Sequence, residues 1–290
     1  LIAFIVNPTA GNGKAYRMIP KIEKYMNEKN LKYKFFITKY PGHGTILARE
    51  AVKDDFEIVV AVGGDGTVHE VINGIKDSDV ALGIIPLGTG NDFARYFRIP
   101  KDVYKALEIL LMKKTKFIDS AVINKYITCN NVANIGIDAD VAVQVTRFKR
   151  FVSGILAYTL SLINVLFKYK PYNVKIDIDG KMIKRRIMLA AFGNCSFYGG
   201  GFKILPDANP DDGYLDVIIV NEISKFKLLF LLPMAIFGKH TSLKCVETYK
   251  AEKIHIDAEK ELALCVDGEV ILSNTIVLNV KRNSVKICTN

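Results

Sequence analysis

The sequence predicts two domains of different class: an N-terminal α/β domain on a parallel, doubly wound sheet, then a mostly antiparallel β domain. Three observations predict this. Up to about residue 117, short β-branched runs alternate with amphipathic helical stretches. Beyond it, apolar runs of strand length dominate, punctuated by Asp179-Gly180, Asp212-Gly213 and Asp267-Gly268 as turn dipeptides. Finally, every glycine-bearing loop of the first half follows the end of a predicted strand, where ligands of such sheets bind.

The elements follow in order. Ile2 to Val6 is β-branched and reads as a strand, lacking the basic leader of a signal peptide. After the loop Asn7 to Gly13, Met18, Ile22, Tyr25 and Met26 recur at helical spacing. Lys32 to Thr38 is a second strand, and Thr45 to Val52 a helix after the Pro41-Gly42 breaker. Glu57 to Val62 is a third strand, Gly63 to Gly66 a tight loop, Val68 to Ile75 a helix and Val80 to Ile85 a fourth strand. Pro86 to Gly90 is a loop and Asn91 to Phe97 a short helix. In the second half, Val174 to Ile178, Ile187 to Phe192, Leu215 to Val220, Ile254 to Ala258, Leu262 to Val266 and Ile276 to Val280 read as strands. Val152 to Phe167 and Phe226 to Phe237 read as helices, the latter as core despite Pro233. These divide the chain into domains at 1–120 and 121–282.

Composition bounds the function. The 290 residues are half hydrophobic, so the chain buries a real core and is not disordered. Lys and Arg exceed Asp and Glu by 40 to 30, a net +10 that favours an anionic partner: a phosphate-bearing ligand, an anionic membrane or nucleic acid. The five cysteines are scattered with no C-x-x-C pair, which argues against a disulfide framework or zinc ribbon and fits a reducing cytoplasm. A single-strand nucleic-acid reader would interleave aromatics with its basic residues, but here the aromatics fall in apolar strand and helix patterns, so no nucleic acid is expected.

The loops carry the chemistry. Small residues in Asn7-Pro8-Thr9-Ala10-Gly11-Asn12-Gly13-Lys14 let backbone N–H groups approach a phosphate at a helix start, although a plain strand-to-helix turn explains them equally. It is not a Walker A loop, because Pro8 and Ala15 stand where that pattern needs Gly and Ser or Thr. In Gly63-Gly64-Asp65-Gly66-Thr67, Asp65 either caps the following helix or stands by a metal-bound phosphate. Glu70 lies three residues after Thr67, so a capping box is its bland alternative. In Pro86-Leu87-Gly88-Thr89-Gly90-Asn91-Asp92-Phe93-Ala94-Arg95, a simple Arg95–Asp92 surface pair is the bland reading.

The runs Asn-Pro-x-x-Gly, Gly-Gly-Asp-Gly-Thr-x-x-Glu and Pro-Leu-Gly-Thr-Gly-Asn-Asp, in this order, resemble the diacylglycerol kinase catalytic domain. Over nearly its full length the chain is similar to bacterial lipid kinases of the diacylglycerol kinase and sphingosine kinase superfamily. NAD kinases share only the middle run, so the third run argues against that alternative. The resemblance implies an NAD-kinase-like first domain, to which the chain returns after about Asn283, and a β-sandwich second domain. It implies an ATP- and Mg²⁺-dependent kinase phosphorylating diacylglycerol to phosphatidate; a sphingoid base and phosphatidylglycerol are other acceptors.

It also implies site positions. Asn7, Pro8, Thr9, Ala10, Gly11, Thr38, Gly64, Asp65, Gly66, Thr67, Val68, His69, Glu70 and Thr89 match ATP-binding positions. Asp65, Asp92 and Asp119 match acids of a Mg²⁺–water network. Asp212, the carbonyl of Tyr214, and Asn209 match a structural Mg²⁺ site. The base falls within Asp267-Gly268-Glu269: Glu269 is the first choice, with Asp267 as alternative or partner. If both lie on one extended strand they share a face; if Asp267-Gly268 is a hairpin turn, they flank it. The lipid implies peripheral docking at the inner face of the membrane, with a homodimer among the assemblies compatible with the sequence. Phe148 to Phe167, flanked by Arg147, Lys149, Arg150, Lys168 and Lys170, either docks there or packs on the second domain.

Overall fold

A computed structural model describes residues 1–141, 165–166 and 169–290. The expected helix over Val152 to Phe167, and with it the basic-flanked stretch Phe148 to Phe167, lies outside these residues except for Val165 and Leu166. The chain forms two compact units, Leu1–Ile118 with Asn283–Asn290, and Asp119–Arg282.

The first unit alternates β1 (Ile2–Val6), α1 (Ala10–Arg17), α2 (Ile19–Glu28), β2 (Tyr33–Ile37), α3 (His43–Lys53), β3 (Ile58–Gly63), α4 (Asp65–Ile75), β4 (Ala81–Pro86), α5 (Asp92–Tyr96) and α6 (Val103–Leu111). β1 pairs in parallel with β2 and β3, and β3 with β4. β1, β3 and β4 are buried along their whole length, which is why each is a continuous apolar run. α6 adds a helix beyond those expected; Asp102 caps it, accepting from Lys105 N–H at 3.0 Å. α3 and α4 approach so closely that a Cβ on Gly74 would lie 2.7 Å from the Thr45 carbonyl oxygen.

β5 (Thr115–Ile123) carries the chain into the second unit. There follow β6 (Ile127–Cys129), β7 (Val132–Gly136), β8 (Tyr172–Ile178), β9 (Lys181–Gly193), β10 (Phe197–Tyr198), β11 (Phe202–Lys203), β12 (Leu215–Asn221), α7 (Lys225–Ile236), β13 (Val246–Ala251), β14 (Lys253–Val266) and β15 (Glu269–Cys288). The pairings among β7, β8, β9, β12, β13 and β14 are antiparallel. β9 and β14 are long, and both pair with β8 early in their course and with β7 late. Their inward residues, such as Ile187, Phe192, Ile254 and Leu264, build one core with Leu215, Val217 and Leu278.

Two expectations are corrected here. Ile254 to Ala258 and Leu262 to Val266 are one strand, β14, whose register breaks between Asp257 and Leu262. The exposed Glu259, Lys260 and Glu261 bulge out at that break, which mimics a turn in the sequence. Phe226 to Phe237 is not all core. Leu228, Leu231 and Ala235 face the β unit, whereas Phe226, Phe230 and Phe237 face outward. β15 returns the chain to the first unit, where Lys286 and Ile287 pair in parallel with Ala81 and Leu82 of β4.

Candidate active site

The three glycine loops of the first unit converge at the C-terminal ends of β1, β3 and β4. Gly64 and Gly88 meet backbone to backbone: a Cβ on Gly88 would overlap the Gly64 Cα, and a Cβ on Gly64 would lie 3.1 Å from the Gly88 Cα. Gly11, with φ of 58°, presses against the Leu87 carbonyl in the same way. Asn7 organises the first loop, its Oδ1 accepting from Thr9 N–H at 3.1 Å and from the Thr9 hydroxyl at 2.9 Å. Pro8 and Ala10 complete this turn, with Ala10 N–H donating to the Asn7 carbonyl. Thr38 is buried one strand away, its N–H donating to the Val6 carbonyl.

The third loop is held from within by Asn91, a residue the sequence reading left unassigned. In left-handed backbone, with φ of 53°, Asn91 accepts from Gly88 N–H at 2.9 Å and donates to the Gly88 carbonyl at 2.8 Å. An Asn in a glycine loop is the sequence signal for such a clasp. Thr89, at the tip, is exposed.

Asp65 is the first residue of α4 and Gly64 is its N-cap, so the simple capping role does not apply. The Asp65 carboxylate instead reaches the start of α5, where Oδ1 accepts from Phe93 N–H at 3.1 Å. Burial raises its pKa above the usual carboxylate range, against the pull of the N–H groups of Phe93, Asp92 and Asn91. Asp92, buried at the first position of α5, thus stands beside it. Its Oδ1 lies 4.0 Å from Arg95 Nη1, while Arg95 Nη2 donates to the Gly90 carbonyl. Half-buried Asp65 and buried Asp92, side by side, form a donor set suited to a hard cation that keeps its waters.

Along α4, Thr67 and Val68 are buried, and Gly66 opens on space with nothing within 4 Å of an added Cβ. His69 Nε2 lies 3.0 Å from Asn73 Nδ2. No capping box joins Thr67 to Glu70, because Thr67 is inside the helix. Glu70 caps α3 instead, accepting from Gly42 N–H and Gly44 N–H at 2.8 Å each. Both its oxygens serve the fold.

The remaining predicted acids lie in the second unit. Asp119 is buried; its Oδ2 accepts from Gly213 N–H at 2.8 Å and its N–H donates to the Pro210 carbonyl at 2.6 Å. It is thus built into the turn that carries Asp212. Asp212 Oδ1 accepts from Tyr214 N–H at 3.0 Å, and Oδ2 meets Lys250 Nζ at 2.6 Å. Lys250 Nζ also lies 3.2 Å from Asp216 Oδ2, which accepts Asn209 N–H at 3.4 Å. Burial opposes the Lys250 ammonium, but hydrogen bonds and charge from Asp212 and Asp216 outweigh it and raise its pKa. Asn209 is exposed and lends this cluster only its N–H, and Tyr214 is exposed as well. As arranged, Asp212 is paired with an ammonium, and a divalent cation held by Asp212, Asn209 and the Tyr214 carbonyl would have to displace Lys250.

Asp267 and Gly268 form the two-residue turn between β14 and β15, with φ of 48° and 96° and Val266 opposite Glu269. Asp267 and Glu269 therefore do not share a strand face. The Asp267 carboxylate accepts from Asn130 N–H at 2.9 Å, Asn131 N–H at 3.0 Å and Val132 N–H at 3.2 Å. Glu269 is exposed, and its carboxylate has no hydrogen bond among the described residues.

Strand-end glycine loops around Asp65 and Asp92, followed by a separate antiparallel β unit, mark a two-unit α/β protein of the phosphate-handling class. Residues 2–123 match the diacylglycerol kinase catalytic domain family, and residues 131–289 match the YegS C-terminal NAD kinase beta sandwich-like domain. The diacylglycerol kinase of Staphylococcus carnosus (strain TM300) is 31% identical over 268 residues, covering 91% of this chain and 87% of the relative. That of Staphylococcus haemolyticus (strain JCSC1435) is 31% identical over 290 residues, covering 98% and 87%. One Bacillus anthracis str. Sterne crystal structure superimposes with a TM-score of 0.80 at 26% identity, covering 100% of this chain and 97% of its own. A second, solved as a diacylglycerol kinase, shares the fold at 22% identity with a TM-score of 0.75, covering 100% and 96%. The chain belongs to the diacylglycerol kinase family of lipid kinases.

Proposed function

We propose that the chain transfers the γ-phosphoryl group of ATP to the hydroxyl of diacylglycerol, giving phosphatidate. The observation that carries this reading is the convergence of the three glycine loops on half-buried Asp65 and buried Asp92. Phosphoryl transfer asks for alignment and charge neutralisation more than covalent chemistry. Backbone at Gly11, Gly64, Gly66 and Gly88, where the loops pack without side chains, offers close approach to phosphate oxygens. Asp65 and Asp92 would hold Mg²⁺, which supplies charge neutralisation on the phosphates when bound. The base role falls to Glu269, because the Asp267 oxygens are committed to three backbone N–H groups. Diacylglycerol is the favoured acceptor because the Staphylococcus relatives are diacylglycerol kinases. The lipid would be met by peripheral docking; among the described residues no helix is long and apolar enough to cross a membrane.

A kinase assay with labelled ATP and Mg²⁺ over diacylglycerol, a sphingoid base and phosphatidylglycerol in mixed micelles tests the reading. Labelled phosphatidate is the expected product. Label appearing only on another lipid alcohol would replace the acceptor, and no labelled lipid at all would overturn the kinase assignment.

A further inference from the structure

α7 is apolar almost all the way round, yet only one side of it is covered. Leu228, Leu231 and Ala235 are buried against Phe202, Ile204, Ile218 and their neighbours in the β unit. Phe226, Phe230 and Phe237 are 75%, 78% and 72% exposed. At 3.6 residues per turn these rings fall within about 40° of one another, on the side opposite the buried residues. Together they expose roughly 350–550 Å², as much as the largest patch on a typical monomer, in three aromatic side chains. Single exposed apolar residues need no explanation, but an aligned aromatic row does.

The charge around the row identifies its partner. From Ile223 to Val246 the sequence contains Lys225, Lys227, Lys239 and Lys244 and no acidic residue. Lys227 and Lys239 are exposed, one beside Phe226 and the other just past Phe237. Lys203 packs its methylenes near Gly238, adding a further cation at this end. Two copies of such a face brought together would oppose lysine to lysine. An anionic bilayer complements it, with rings entering the acyl boundary and ammonium groups at the headgroups.

We propose that the outward face of α7 docks the protein on anionic phospholipid, through Phe226, Phe230 and Phe237 framed by Lys227 and Lys239. The proposal rests on the lipid-kinase reading for the reason a bilayer is the partner, but its test does not require kinase activity. Flotation with phosphatidylglycerol–phosphatidylcholine vesicles, without diacylglycerol or ATP, measures docking alone. The variant F226A/F230A/F237A should fold, as circular dichroism would check, and should lose vesicle binding by at least about tenfold. It should still phosphorylate a short-chain diacylglycerol presented as monomer in solution. K227Q/K239Q should weaken binding to anionic vesicles, reduce its salt sensitivity and leave neutral vesicles unaffected. Wild-type protein that does not float, or a folded triple variant that floats like wild type, overturns the proposal. So does a wild-type dimer that the triple variant converts to monomer with vesicle binding unchanged, since a second copy would then cover the face. Failure of the kinase reading would appear separately, as no turnover of the soluble acceptor by wild type.

Discussion

Gly66 offers the sharpest test of where the nucleotide lies. It is the second residue of α4, its backbone is not left-handed, and a Cβ there meets nothing within 4 Å. By the protein's own packing, alanine should be better than glycine at this position. G66A should stabilise the fold by about 0.4–1 kcal/mol, through helix propensity and a less flexible unfolded chain. That is roughly 1–4 °C in Tm. If phosphate passes over the first turn of α4, the same methyl stands in its path. A displacement near 1 Å in a reacting group costs about 100-fold in rate, so kcat/KM for ATP should fall by that order. G88A is the contrasting control: its Cβ overlaps the Gly64 Cα, so the loops must part, costing about 1–3 kcal/mol as well as activity. Differential scanning fluorimetry and steady-state kinetics separate the two variants. A G66A protein that is stable and keeps wild-type kinetics with ATP would refute the reasoning, since no ligand would then approach that turn.

Four further outcomes are expected. D267N should lose about 1–3 kcal/mol by urea melt, because its amide cannot accept from all three N–H groups of the 130–132 loop. E269Q should melt like wild type and bind ATP normally yet turn over at least about 100-fold more slowly; an unchanged rate would remove Glu269 as the base. K250M should cost about 1–2 kcal/mol, modest because the lysine side chain is 44% exposed, and should make Tm respond to Mg²⁺. Without nucleotide, wild-type Tm should ignore both Mg²⁺ and EDTA, and a fall with EDTA that persists in D65N would show that a divalent ion displaces Lys250. Finally, hydrogen bonding from Arg185, assisted by Tyr249 and Asn221, lowers the Glu247 pKa from 4.5 to about 2. A depressed carboxylate stabilises the fold above its unfolded pKa and loses that contribution as pH falls through the folded value. Wild type should therefore lose about 1–2 kcal/mol between pH 4.5 and 2, allowing for the part-exposed Arg185, and E247Q should show a flatter profile in acid titration of stability.

What the sequence made legible was what depends on neighbours along the chain. The runs Ile2 to Val6 and Ile58 to Val62 announce buried parallel strands because each is apolar on both faces. The turn at Asp267-Gly268 is likewise local chemistry. What escaped depends on register and packing. Lys250 neutralises Asp216 because β12 and β13 place them directly opposite, a pairing 34 residues apart. Glu70 caps α3 only because α3 and α4 are in close contact, so its helical spacing from Thr67 pointed to the wrong partner. The Phe226 to Phe237 helix misled because a helix apolar on every side does not reveal which side is covered. α6 is legible locally, since Asp102 stands as a cap before an apolar 3.6-residue pattern.

The partners of the acids argue for their roles more strongly than their motif positions do. Glu70, Asp119, Asp212 and Asp267 each have carboxylate oxygens engaged by N–H groups or an ammonium within their own unit. For these a structural role suffices. Asp65 differs. It accepts from Phe93 N–H, a bond that asparagine would form equally well without an ionisable group. Yet the residue is a carboxylate in a position where burial raises its pKa and so disfavours its charge. Folding alone would favour the neutral amide there. A carboxylate that its surroundings disfavour, beside buried Asp92 and within converging glycine loops, is what the proposed nucleotide-borne cation would account for. Glu269 presents the complementary case: it is exposed beside its hairpin turn with no side-chain hydrogen bond among the described residues, which suits the base role proposed for it.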